Sequence, residues 1–94
     1  MFKDLDPLLL SQQRLAIVSI LISVEEADFV FLKDKTGATA GNLSTHIEKL
    51  NEAGYIDVRK FIDGKRPRTV LKITKKGIDA FDNYVKALQD YIGK

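Results

Sequence analysis

The sequence predicts a mainly α fold with one small β-hairpin (α+β): three core helices, a hairpin and a long final helix, in a single domain spanning residues 1–94. Three observations predict it. Residues 39–56, T-A-G-N-L-S-T-H-I-E-K-L-N-E-A-G-Y-I, read as one capped amphipathic helix with two different faces. Beyond Gly54 the apolar period shortens from that of a helix to that of a strand. From Lys75 the apolar residues return in alternating steps of three and four.

Residues 1–10 form an N-terminal arm. Asp6-Pro7 favours an extended or turn conformation, and the consecutive Leu8, Leu9 and Leu10 need cover from the domain or from a second chain. Ser11 is placed to cap a first helix over 11–24. There Leu15, Val18, Leu21 and Ile22 make one stripe, and Ile17, Ile20 and Val24 widen it. A helix apolar over most of its circumference belongs in the centre of a fold. Glu25-Glu26 ends it on the polar side. Asp28 caps a second helix over 28–36, anchored by Phe29, Val30 and Leu32, with Lys33, Asp34 and Lys35 outward. Gly37 turns the chain, Thr39 caps a third helix over 39–53, and Gly54 closes it. A short helix, a glycine-containing turn and a capped second helix make a helix-turn-helix.

The third helix buries Ala40, Leu43, Ile47 and Leu50 on one face. The other carries Gly41, Asn42, Ser44, Thr45, His46 and Lys49, small or hydrogen-bonding side chains of which only Lys49 carries a fixed charge. An ordinary solvated face is richer in Glu and Lys; this one suits base edges in a DNA major groove.

Residues 55–73 read as a β-hairpin. Ile56 and Val58 alternate with Asp57 and Arg59, Asp63-Gly64 is a turn dipeptide, and Leu71 and Ile73 point inward on the return. Pro67 is expected to limit ladder pairing near the turn. The hairpin tip is D-G-K-R-P-R, and a helix-turn-helix followed by a basic hairpin is a winged helix. Thr74 caps the last helix, 75–92, whose Ile78, Phe81, Val85, Leu88 and Ile92 form a seam two heptads long.

Charge is distributed to match. Net charge is +2, but residues 1–54 carry −3, residues 55–77 carry +6, and residues 78–94 carry −1. The positive block follows the third helix directly, the footprint expected of an anionic partner. Apolar residues are 45% of the chain and charged ones 30%, which describes a folded globular protein rather than a disordered one. The absence of cysteine excludes disulfides and thiolate metal sites and fits a reducing, cytoplasmic setting. The start, M-F-K-D-L-D-P, does not read as a signal peptide. The apolar run over residues 15–24, interrupted by Ser19 and Ser23, is about half the length of a bilayer span.

The segment L-S-T-H-I-E-K-L-N-E-A-G-Y-I, followed by G-K-R-P-R-T and then I-T-K-K-G, resembles the winged-helix transcriptional regulators, closest to their small single-domain MarR-like and ArsR-like group. The resemblance runs from L-D-P through the final helix. It implies a third helix in the major groove, a wing on the backbone or minor groove, and terminal helices that build a symmetric homodimer. Metal sensing of the ArsR type uses clustered Cys, His and carboxylates. It does not carry over to a chain with no Cys and a single His.

The candidate DNA-binding residues are therefore Thr39, Gly41, Asn42, Ser44, Thr45, His46 and Lys49 on the recognition helix, and Lys65, Arg66 and Arg68 on the wing. Leu8, Leu9, Ile78, Phe81, Val85, Leu88 and Ile92 are the candidate dimer interface. Each has a plainer reading. His46 is either a partly buried surface histidine or a donor to a base or phosphate. Asn42, Ser44 and Thr45 are either a solvated helix start or base readers. The wing cations either guard a hairpin edge or bind phosphates. The final seam packs either on its own domain or on a second copy. The expected partners are double-stranded DNA and a second copy of the chain, with no metal, cofactor or membrane. The alternative is a winged helix that docks a protein without touching DNA. RNA or single-stranded DNA is a third possibility, without a row of exposed aromatics to favour it. No nucleotide-binding, nucleophile-elbow or zinc-protease motif points to an enzyme, and nothing in the residues names a small effector.

Overall fold

The computed structural model describes residues 2–93; Met1, where the predicted arm begins, and Lys94 lie outside the described residues. The order of elements is a 3-10 turn Pro7–Leu10, α1 Gln12–Val24, β1 Glu26–Asp28, α2 Phe29–Thr36, α3 Ala40–Glu52, β2 Ile56–Asp63, β3 Arg66–Ile73 and α4 Lys75–Ile92.

Helix α1 lies at the centre, packed on the other three helices, the 3-10 turn, β1 and β3. Its Ile17, Val18 and Leu21 are fully buried. Leu32 of α2, Leu43, Ile47 and Leu50 of α3, and Ile56, Leu71 and Ile73 of the hairpin close the same core. Each helix starts on the side chain expected of it. Ser11, Asp28, Thr39 and Thr74 accept from the amides of Arg14, Phe31, Asn42 and Gly77. Helix α3 stops in a double-bonded glycine cap. Gly54, at φ +81°, donates to Asn51 O, and Tyr55 N–H reaches back to Leu50 O.

Four expectations change. First, Glu25-Glu26 does more than end α1. Glu25 adopts φ +70° with ψ −42°, a sparsely populated conformation that costs a non-glycine residue on the order of 1–3 kcal/mol. Its N–H bonds Leu21 O at 2.7 Å and its carbonyl accepts Ile73 N–H at 3.1 Å. That reversal lays Glu26–Asp28 along β3 as a third, antiparallel strand, in the order β1-β3-β2. Second, Val30 is 65% exposed and anchors nothing; Leu32 and the half-buried Phe29 hold α2. Third, Pro67 does not limit the ladder, which runs unbroken from the Asp63–Arg66 pair to the Ile56–Ile73 pair. The turn is Gly64-Lys65, and Asp63 is the last residue of β2. Pro67 is tolerated because β1 reaches β3 only from residue 70 onward, leaving one side of residue 67 unpaired.

Fourth, Leu9 is not available to a partner chain. A 3-10 turn has three residues per revolution, so consecutive leucines point about 120° apart. Leu9 faces inward and is fully buried, Leu8 is half-buried, and Leu10 is 59% exposed. Asp6 sets the turn: one carboxylate oxygen accepts Leu8 N–H at 2.9 Å, and the other accepts the Tyr55 hydroxyl.

The radius of gyration is 14.2 Å, above the roughly 12 Å of a compact domain of this length. The far end of the hairpin stands clear of the core, with residues 59–68 all exposed.

Candidate nucleic-acid interface

Helix α3 has three polar rows around its buried stripe, because each residue advances about 100° around the axis. Gly41, Thr45, Glu48 and Glu52 form the row farthest from the core, and all four are exposed. Ser44, Glu48 and Asn51 border the hairpin. With Lys60 of β2 and Thr69 of β3 they line an open groove of 670 Å³. Asn42 and His46 border α1, and Lys49 stands between that row and the outward one.

The members of the polar face are not equally free. Asn42, Ser44 and Lys49 are exposed. Thr39 spends its hydroxyl on the Asn42 amide at 3.2 Å, and Thr45 donates its hydroxyl to Gly41 O at 3.1 Å, turning its methyl outward. A Cβ at Gly41 would meet nothing within 4 Å, so no packing inside the chain demands a glycine there. His46 is half-buried and its Nδ1 lies 3.1 Å from Arg14 Nη1. Burial, with the charges of Arg14 and Lys49 nearby, holds this imidazole below its usual pKa. Because a guanidinium can only donate, Nδ1 is the acceptor in this contact and the ring proton lies on Nε2. Glu48 escaped the sequence reading. It falls between Thr45 and Lys49 in the chain and belongs to the exposed face rather than the buried stripe.

Alternation divides the hairpin into two faces. Ile56, Val58, Lys60 and Ile62 share one, opposite Ile73, Leu71, Thr69 and Pro67, and Lys60 and Thr69 lie in the groove beside α3. Arg59, Phe61 and Asp63 share the other with Lys72, Arg68 and Arg66. Arg59 stacks over the Phe61 ring, 5.3 Å from its centroid. Lys65 and Arg66 at the tip are exposed and, among the described residues, take part in no ion pair. Arg68 differs. It reaches Asp28 at 2.7 Å and Asp63 at 3.1 Å, so its charge clasps the hairpin to β1 and the start of α2. The Phe31 amide, and after it Arg68, hold the Asp28 carboxyl below its ordinary pKa.

On the opposite side of the molecule α4 turns Tyr84, Ala87 and Gly77 inward. Phe81 is half-buried against the core, while Ile78, Val85, Leu88 and Ile92 remain 37–60% exposed. The arm runs back along this helix. Phe2 stacks on Tyr91 with ring centroids 4.7 Å apart, and Lys3 N–H donates to Asp90 at 3.2 Å. Among the described residues, no group of three or more His, Asp or Glu is placed to hold a metal ion, and no helix is long and apolar enough to cross a membrane.

The family described as "Winged helix DNA-binding domain" matches residues 13–92. An uncharacterised protein of Methanocaldococcus jannaschii is 40% identical over 72 residues, covering 77% of this chain and 78% of that one. The structure of a transcriptional regulator homologue from Pyrococcus horikoshii superposes with a TM-score of 0.83 at 31% identity, over 92% of this chain and 85% of that one. A mutant MarR from E. coli, solved in complex with operator DNA, superposes with a TM-score of 0.72 at 17% identity, over 85% and 57% of the two chains.

Proposed function

The chain belongs to the winged helix DNA-binding domain family, and from that membership we propose that it binds double-stranded DNA as a homodimer and regulates transcription. The observation that carries this reading is the arrangement of α3. Its exposed Gly41, Asn42, Ser44, Thr45 and Lys49 lie on a helix whose Ser44 shares a groove with Lys60 of the protruding hairpin, and at the hairpin tip Lys65 and Arg66 form no ion pair among the described residues. In this reading α3 enters the major groove. Asn42 bonds adenine, Thr45 presents its methyl to thymine, and Glu48 accepts from an exocyclic amino group of cytosine or adenine. Gly41 lets the helix start approach a phosphate closely. Lys49, Lys65 and Arg66 contribute phosphate contacts without reading sequence.

The exposed apolar row of α4 is the surface a second copy would cover. A two-fold dimer would read a roughly palindromic operator with half-sites about one helical turn apart. The likeness to a transcriptional regulator homologue and to a MarR solved with operator DNA supports the same reading.

Fluorescence anisotropy of a labelled duplex over a salt series, with mass from light scattering on the same sample, tests it. Binding by a dimer, with affinity falling steeply as salt rises, is expected. A folded dimer that ignores duplex DNA at low salt would overturn it in favour of a winged helix that docks a protein.

A further inference from the structure

The His46 flank of α3 ends in a cation that neither the recognition helix nor the wing accounts for. Arg14 projects from the first turn of α1. Its Nε donates to Leu8 O at 2.7 Å, and its Nη1 lies 3.1 Å from His46 Nδ1. Both acceptors are neutral. Among the described residues four ion pairs form and none includes Arg14. The group is half-buried, where a guanidinium ordinarily finds a carboxylate. It has five N–H donors, and these two bonds use two of them.

We propose that Arg14 is a phosphate-binding residue for the DNA strand on the arm side of α3, held in place by the Leu8 carbonyl and His46. The inference rests on the duplex-binding reading above and adds the second wall of the groove. A helix in the major groove lies between two phosphate backbones about 12 Å apart across it. The hairpin provides Lys60 on one flank of α3. The other flank carries Lys49 on α3 itself and Arg14, which is tied to it through His46, one turn from Asn42. The remaining Arg14 donors form a planar fork suited to two phosphate oxygens. His46 is then a positioning residue: as a neutral acceptor it orients the guanidinium without cancelling its charge.

The test compares wild type, Arg14→Gln, Arg14→Lys and a Lys65→Ala/Arg66→Ala double variant, binding one labelled duplex over a fourfold range of salt. Arg14→Gln should weaken binding to all sequences alike and reduce the salt slope by about one, so that it loses roughly threefold to fourfold less affinity across that range than wild type. Arg14→Lys keeps the charge and should keep the slope. If the double wing variant flattens the slope while a folded Arg14→Gln matches wild type, Arg14 only anchors the arm and the proposal fails while the duplex reading stands. If wild type itself shows no salt-dependent binding, both fall. Should Arg14→Gln not fold, the guanidinium Nε–Hε resonance of wild type, assigned by its loss in Arg14→Lys, decides. It should shift on saturation with duplex, and an unmoved resonance overturns the proposal.

Discussion

Gly77, in the first turn of α4, presses against the backbone of Tyr55 so closely that a Cβ at position 77 would stand 2.2 Å from the Tyr55 carbonyl oxygen and 2.9 Å from Ile73 Cδ1. Thr74 locks the same junction. It donates its hydroxyl to Gly54 O at 2.7 Å and its N–H to Tyr55 O at 3.1 Å, and accepts from Gly77 N–H at 3.0 Å. The I-T-K-K-G run is therefore the joint that mounts α4 on the end of α3. Gly77→Ala should destabilise the fold by about 1–3 kcal/mol, the usual cost of overpacking, because the obstructing atom is backbone. Urea denaturation measures it, and an unchanged midpoint would show that the joint yields.

Tyr55 also closes the arm, through its hydroxyl to Asp6. Burial, and after it the Asp6 carboxylate, push its phenol up from 10.0 to about 12. A raised folded-state pKa means that this contribution to stability is complete below pH 10 and is lost as pH rises from 10.0 through about 12. Wild type should lose stability over that window, and Tyr55→Phe should show a shallower alkaline decline with the phenol that ionises at about 12 missing from its ultraviolet titration. A Tyr55→Phe variant with the wild-type alkaline profile would contradict the assignment.

Gly41 lies in an exposed first turn with open space around it. Gly41→Ala should stabilise the fold by up to about 1 kcal/mol, read as a higher thermal midpoint, and at the same time weaken duplex binding. Gain of stability with no loss of affinity would remove Gly41 from the interface.

The two wing arginines should behave differently. Among the described residues Arg66 forms no ion pair, whereas Arg68 is shared between Asp28 and Asp63. Arg66→Ala should reduce the salt slope of DNA binding by about one unit. Arg68→Ala should change it less and instead loosen the hairpin, read as faster amide exchange in β1. Equal slope changes would mean that Arg68 leaves its carboxylates for DNA.

Leu9 and Leu88 separate core from interface. Leu9→Ala empties a fully buried site and should cost about 2–5 kcal/mol. Leu88→Glu, at a position 40% exposed, should leave helicity intact and halve the mass found by light scattering. A dimer that survives Leu88→Glu would place the interface elsewhere.

Much of this was legible in the chain because it depends on neighbours in sequence. Caps at Ser11, Asp28, Thr39 and Thr74, the glycine stop at 54 and the change of period after it are local effects. So is the exposure of Asn42, Ser44 and Lys49 once Leu43, Ile47 and Leu50 are taken as the buried stripe. Strand β1 was not legible. Three residues, two of them acidic, carry no period, and they become a strand only because Ile73 captures the Glu25 carbonyl and β3 has an open edge. The turn was misplaced by one residue for a related reason. Both Asp63-Gly64 and Gly64-Lys65 can form a two-residue loop, and the pairing of Ile56 with Ile73 at the buried end selects the second.

Order along the chain thus decided that four helices and a hairpin form, where the helices begin and end, and which face of α3 is polar, since these follow from caps, periodicity and glycine conformations within a few residues. Packing decided how the charged and apolar side chains are used. Arg68, a wing cation by position, is folded back onto carboxylates 40 and five residues away. Arg14, an unremarked residue of α1, is brought to His46 across 32 residues. Leu9 is taken into the core, and the α4 seam is left uncovered. Long-range pairing of this kind depends on which surfaces meet when α1 becomes the centre of the core, and no spacing within one segment encodes it.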